Sequence, residues 1–184
     1  MAPARVIQGQ LTRLSRTTHG IAYDATHDEI IAPNPLAAAV VIFRGGAIGE
    51  EAPARTIQGA GTGLSRPETV AVDEKNNEIV VANNGDNSIL VFSRTANGDV
   101  PPKRAIRGPL TGVNGPMGVA IANDEIFVAN FADHTALVFP RLAAGNVRPR
   151  RVIRNAPGGR ETSGFGNPYS VAYDTKRREI LVPN

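Results

Sequence analysis

The sequence predicts an all-β fold in which one four-stranded antiparallel unit is repeated along the chain. Three recurrences carry that prediction. The phrase ARVIQG returns as ARTIQG, KRAIRG and RRVIRN, placing isoleucine at positions 7, 57, 106 and 153. EIIAPN (29–34) returns as EIVVAN (78–83), EIFVAN (125–130) and EILVPN (179–184). VVIF (40–43) returns as ILVF (89–92) and ALVF (136–139). The spacing is constant as well: Asn34 to Phe43, Asn83 to Phe92 and Asn130 to Phe139 are each nine residues, and each Phe precedes the next Ile by fourteen. Self-similarity at such a period marks a repeat architecture.

Each unit reads as four strands, a to d. Strand a alternates large and small residues, as in Ile21-Ala22-Tyr23, Val70-Ala71-Val72, Val119-Ala120-Ile121 and Val171-Ala172-Tyr173. A period of two puts alanine on one face and a bulky side chain on the other. Asp24 to His27 and Asp73 to Asn77 then form a short hairpin into strand b, the EI phrase. Strand c is the VF phrase, rich in β-branched residues. Gly49, Gly98 and Gly145 supply a residue tolerant of positive φ before strand d, the RxI phrase. Four short antiparallel strands in 47 to 50 residues, judged by the intervals between Ile7, Ile57, Ile106 and Ile153, make a β-propeller blade.

The 184 residues are therefore expected to form a single propeller segment. A leading outer strand at 4–8 precedes blades at about 17–58, 66–107, 115–154 and 167–184, the last incomplete. Such an arc leaves apolar blade faces and unpaired edges uncovered. It reads either as the first blades of a longer propeller or as a homo-oligomer, two copies completing one ring.

Composition narrows the function classes. Hydrophobic residues are 41% and charged ones 20%, the balance of a globular chain. Without cysteine there is neither a disulfide framework nor a thiolate metal site, whatever the compartment. The opening MAPARVIQGQ lacks the apolar stretch of a secretory signal, and no apolar run is long enough to cross a bilayer, so no membrane partner is expected. The net charge of +3 is too small to announce a polyanion partner. There is no Gly-x-Ser-x-Gly elbow and no phosphate-binding glycine loop, and His19, His27 and His134 belong to no nucleophilic triad.

One pattern carries a family resemblance. Thr62-Gly63-Leu64, Pro67, Val70-Ala71-Val72-Asp73, Glu78-Ile79, Val81-Ala82-Asn83 and Asn87-Ser88-Ile89, closing on Val91-Phe92, resemble an NHL repeat, with YVTN-type propeller repeats a close second. The resemblance covers nearly the whole chain. It implies a propeller whose top mouth, formed by the d–a and b–c loops, is the ligand face.

Three residue sets fall on that face. Asn34, Asn83, Asn130 and Asn184 close strand b. They read either as a ring of carboxamides for a cation or polar ligand, or as side chains bonding their own b–c turn. The residue opening strand a is His19, Glu68, Met117 and Tyr169 in successive blades, variable chemistry on a constant framework. That is the pattern of a binding site grafted on a repeat, or of exposed, unconstrained positions. Arg13, Arg16, Arg66 and Arg160 give the face some positive charge, whereas Arg5, Arg55, Arg104 and Arg151 belong to strand d and are expected to lay their stems over the outer rim with the charge in water.

The expected role is a non-enzymatic binding scaffold for a protein or extended polymer across the top face, centred on His19, Glu68, Met117, Tyr169, Asn34, Asn83 and Asn130. No catalytic residue, metal ligand or cofactor is predicted. Two alternatives follow from the resemblance. One is a lactonase, hydrolase or lyase of the SMP-30 type, with a divalent cation held at the channel mouth partly by Glu68, Asn83 and Asn130. The other is RNA binding through the positive top face, as in some NHL propellers. The absence of tryptophan and the scarcity of aromatic stacking platforms weigh against it.

Overall fold

A computed structural model describes residues 3–154 and 166–183. They form an all-β chain of antiparallel sheets ordered as the chain runs. Blade one is β1 (Ala22–Asp24), β2 (Glu29–Asn34), β3 (Ala39–Arg44) and β4 (Arg55–Gln58). Blade two is β5 (Pro67–Asp73), β6 (Glu78–Asn83), β7 (Ser88–Ser93) and β8 (Arg104–Ile106). Blade three is β9 (Pro116–Ala122), β10 (Glu125–Asn130), β11 (Thr135–Pro140) and β12 (Arg151–Ile153). The chain ends with the pair β13 (Ala172–Asp174) and β14 (Glu179–Leu181). The sheets do not close on one another.

The hairpins follow from local chemistry. Between β5 and β6 the Asp73 carboxylate accepts from the Asn76 backbone N–H at 3.1 Å, and Asn77 takes the left-handed conformation at φ 53°. Blade three needs only two turn residues, Asn123 and Asp124, both left-handed at φ 50° and 58°. Every b–c connection is a single 3₁₀ turn closed by a left-handed residue: Ala38, Asn87 or His134.

The cores lie between blades. Ile31, Val40, Ile42 and Ile57 of blade one pack on Val70, Ile79, Val81, Leu90 and Phe92 of blade two. Val80, Ile89, Val91 and Ile106 repeat the arrangement against blade three, and Phe127, Ala129 and Val138 do so against Val171. One blade has no core of its own, which is why the repeat exists.

Two expectations need correction. Residues 4–8 form no strand: Ile7 makes one parallel bridge to Gly49, and among the described residues no strand lies beside it to pair with as an outer strand d. Of the four strand-d arginines, Arg55 and Arg104 are not solvated rim charges either, whereas Arg5 and Arg151 are exposed. Arg55 donates to both oxygens of Glu29 at 2.6 and 2.8 Å, and Arg104 to both of Glu78 at 2.8 and 2.7 Å. Each reaches the glutamate that opens strand b of its own blade, a fork-to-carboxylate match. Arg94 and Arg141, on the following blade, reach back to the same glutamates at 2.9 and 3.2 Å. The Arg104 and Lys103 bonds hold the Glu78 carboxyl down to about 2 from its ordinary 4.5, and Arg55 lowers Glu29 in the same way.

Candidate functional site

The site is organised by the opening of strand a. In blade two Pro67 pairs with Asn83 and Thr69 with Ala82, so Glu68 is an extra residue in a β-bulge. In blade three Pro116 pairs with Asn130 and Gly118 with Ala129, making Met117 the bulge. A bulge re-aims the side chain it carries, and these two are turned inward at 0% and 6% exposure. The variable positions are thus not four exposed ones. Blade one has one more residue, Thr17, between Thr12 and the strand, and threonine where its neighbours have Pro67 and Pro116. Its strand starts only at Ala22, leaving His19 ahead of it in the loop.

Glu68 is a fully buried carboxylate with both oxygens engaged. Oε1 accepts from Arg66 Nε at 2.7 Å and Oε2 from His19 Nδ1, a contact across the seam between blades one and two. The imidazole is 42% exposed, so the protonated Nδ1 faces the carboxylate and Nε2 is left for an incoming group. Further round the arc the equivalent positions are apolar. Met117 Sδ accepts from Asn84 Nδ2 at 3.4 Å, and Tyr169 meets Phe131 edge-on, ring centroids 4.8 Å apart. His19, Met117 and Tyr169 line one cleft of about 290 Å³, with Thr69 and Ser170 between them.

A row of small residues missed by the sequence reading floors the cleft. After each variable residue comes Gly20, Thr69, Gly118 or Ser170. A Cβ on Gly118 would sit 2.6 Å from Ser170 Cα, and one on Gly20 would sit 3.0 Å from Thr69 Cγ2. Strands a crowd together here and leave room for little else. Small side chains in all four repeats were the available signal.

The asparagines are turned away from the mouth. Asn83 accepts from the Ser65 N–H at 2.7 Å and donates to Gly63 O at 3.0 Å, Asp86 Oδ1 at 2.6 Å and Ser88 Oγ at 3.1 Å. Asn130 accepts from Asn114 N–H at 2.7 Å and donates to Gly112 O and Thr135 Oγ1 at 3.0 Å. They clamp the d–a loop onto strand b as well as the b–c turn. Asn34 donates to Arg13 O alone, while its buried Oδ1 has no partner among the described residues. Asn184 and Arg160 lie outside the described residues. A second clamp also escaped the sequence reading: buried Thr12, Thr62 and Thr111 each donate to a glycine carbonyl three residues back and accept from an N–H two residues on.

This donor set does not fit a divalent cation. Both oxygens of Glu68 are already engaged by Arg66 and His19, the amide oxygens of Asn83 and Asn130 accept from backbone, and no three His, Asp or Glu side chains converge among the described residues. Of the top-face cations, Arg13 and Arg16 are exposed and Arg66 is tied to Glu68.

Comparison with known proteins agrees with this geometry. The NHL repeat model matches residues 64–92. No curated protein sequence matches. Among solved structures, a hydrazine synthase of Kuenenia stuttgartiensis superposes with a TM-score of 0.66 at 13% identity, covering 99% of this chain and 45% of its own. A chain of a nidogen/laminin complex superposes with a TM-score of 0.66 at 12% identity, covering 91% of this chain and 56% of its own. This chain thus spans about half the length of each, and at such identities the likeness is one of fold alone. From the blade sequences, the sheet order and the superpositions, the chain is an arc of β-propeller blades, and residues 64–92 of its second blade match the NHL repeat.

Proposed function

We propose that the chain is a non-enzymatic binding scaffold that takes an extended polypeptide across its top face, with recognition centred on the cleft between His19 and Tyr169. One observation carries this reading. A single framework position, bulged in blades two and three, bears four different side chains, three of which line one cleft while the fourth, Glu68, bonds to His19, and the loops that hold it are clamped by Thr and Asn. The framework does not need a charge there, since Met117 fills the equivalent place. A buried carboxylate is costly to keep without a use. Its use is to fix the His19 ring. The site then offers a polar end at His19 and an apolar, aromatic end at Met117 and Tyr169.

Selection of a random peptide library on the immobilised protein tests the proposal. Selected peptides should share a motif with a hydrogen-bonding group and an apolar residue. They should lose at least about tenfold in affinity, roughly 1.4 kcal/mol, for His19→Ala and for Met117→Ala with Tyr169→Ala. Peptides that bind these variants as well as the wild type would refute it.

A further inference from the structure

The outer rim of each complete seam is made in one way. The last strand of one blade lays a parallel bridge on the turn after the third strand of the next, Ile57 on Gly98 and Ile106 on Gly145. Its arginine donates to a carbonyl just beyond that third strand, Arg55 to Arg94 O at 3.1 Å and Arg104 to Arg141 O at 2.9 Å. The same arginine holds the glutamate that opens the second strand of its own blade. Residues 4–8 make the first two contacts on blade one without the third. Ile7 bridges Gly49 and Arg5 Nη1 donates to Gly45 O at 2.6 Å, but no carboxylate among the described residues pairs with Arg5.

The other end of the arc carries the counterpart. Glu179 opens β14 where Glu29 opens β2, and it is exposed with no arginine partner among the described residues. Ala172 and Leu181, paired with each other, occupy the register of Ala22 and Ile31. Ala22 and Ile31 pack on blade two. Ala172 is exposed and Leu181 is 50% exposed. Beside residues 4–8 lies an apolar cleft of about 700 Å³, lined by Ile7, Leu14, Ile21, Ile30, Ala32 and Phe43.

We infer that this cleft seats β13 and β14 of a second copy, with Glu179 of one copy paired to Arg5 of the other. Two such seams about a twofold axis join two arcs into one ring. Each seam has three segments of a blade, β13 and β14 from one copy and residues 4–8 from the other. The ion pair spans the place of the third strand, as Arg55 spans β3 to reach Glu29. The inference is independent of any top-face ligand.

Light scattering on a sizing column over a range of concentrations tests it, with circular dichroism confirming that each variant is folded. The wild type should have twice the 19.4 kDa chain mass. Arg5→Glu and Glu179→Arg should each weaken the dimer at least about tenfold through like-charge contact, and the double reversal should restore it. A wild type that keeps the mass of one chain overturns the inference. So does a dimer indifferent to both single reversals, or one that both weaken and the double reversal does not rescue.

Discussion

Replacing Glu78 by glutamine tests the arginine–glutamate seams directly. The side chain is 3% exposed and accepts from Arg104, Lys103 and, across the seam, Arg141. Its carboxyl falls from 4.5 to about 2, and at about 1.4 kcal/mol per pKa unit that is about 3 kcal/mol. Because the folded-state value is the depressed one, this stability is fully present above pH 4.5 and is lost as pH falls towards 2. The amide also leaves the Arg104 and Arg141 guanidinium groups, 11% and 17% exposed, without a counter-charge. Urea unfolding should therefore show Glu78→Gln about 3 kcal/mol less stable than wild type at pH 7. The gap should narrow below pH 4.5 and nearly vanish near pH 2. Glu125→Gln is the control. Its partners Arg150 and Arg151 are 63% and 49% exposed and, among the described residues, no arginine from a following blade reaches it, so the cost should stay below about 1 kcal/mol. A gap at Glu78 that is small at pH 7, or that persists unchanged into acid, would refute the reasoning.

Glu68→Met places the blade-three residue in blade two. It should leave stability within about 1 kcal/mol of wild type, since Arg66 and His19 can rehydrate, yet abolish binding of the selected peptides. Thermal melts and peptide titration check the two halves. Asn83→Ala should cost about 3 kcal/mol in urea unfolding by stranding the Ser65 N–H and Gly63 carbonyl. Asn34→Ala should cost only about 1 kcal/mol, because that amide makes one bond. Gly98→Ala, at φ 76° with open space around a Cβ, should cost about 1 kcal/mol. Gly59→Ala, at φ 134° with Asp99 Cγ 2.3 Å from the new atom, should cost clearly more in the same assay.

The blades were legible because strand period and turn chemistry are local and were written three times over. The seams were less so. Arg55 and Glu29 lie 26 residues apart and Arg94 and Glu29 lie 65 apart, so no window shows the pair. The hint was that a glutamate opens each strand b and an arginine each strand d; pairing them required knowing that one side chain crosses strand c. The row His19, Glu68, Met117 and Tyr169 stood out by its variability. The inward turn of Glu68 and Met117 did not, because a bulge is a property of two strands' register and not of one strand's sequence. The asparagines left two readings open, a ring at the mouth or bonds to their own b–c turn. Their end-of-strand position suggested the mouth, but the loop above them has backbone N–H and C=O groups that need partners, and the amide supplies both.

That three of the four apolar clusters are each shared by a pair of blades has a dynamic consequence. The chain behaves as a row of nearest neighbours, so opening begins where a blade has one neighbour and moves inward. In native-state amide exchange β13 and β14 should yield first, and β6 and β7, flanked on both sides, last. A ligand held between His19 and Met117 would then slow exchange throughout β6 and β7 without touching either strand.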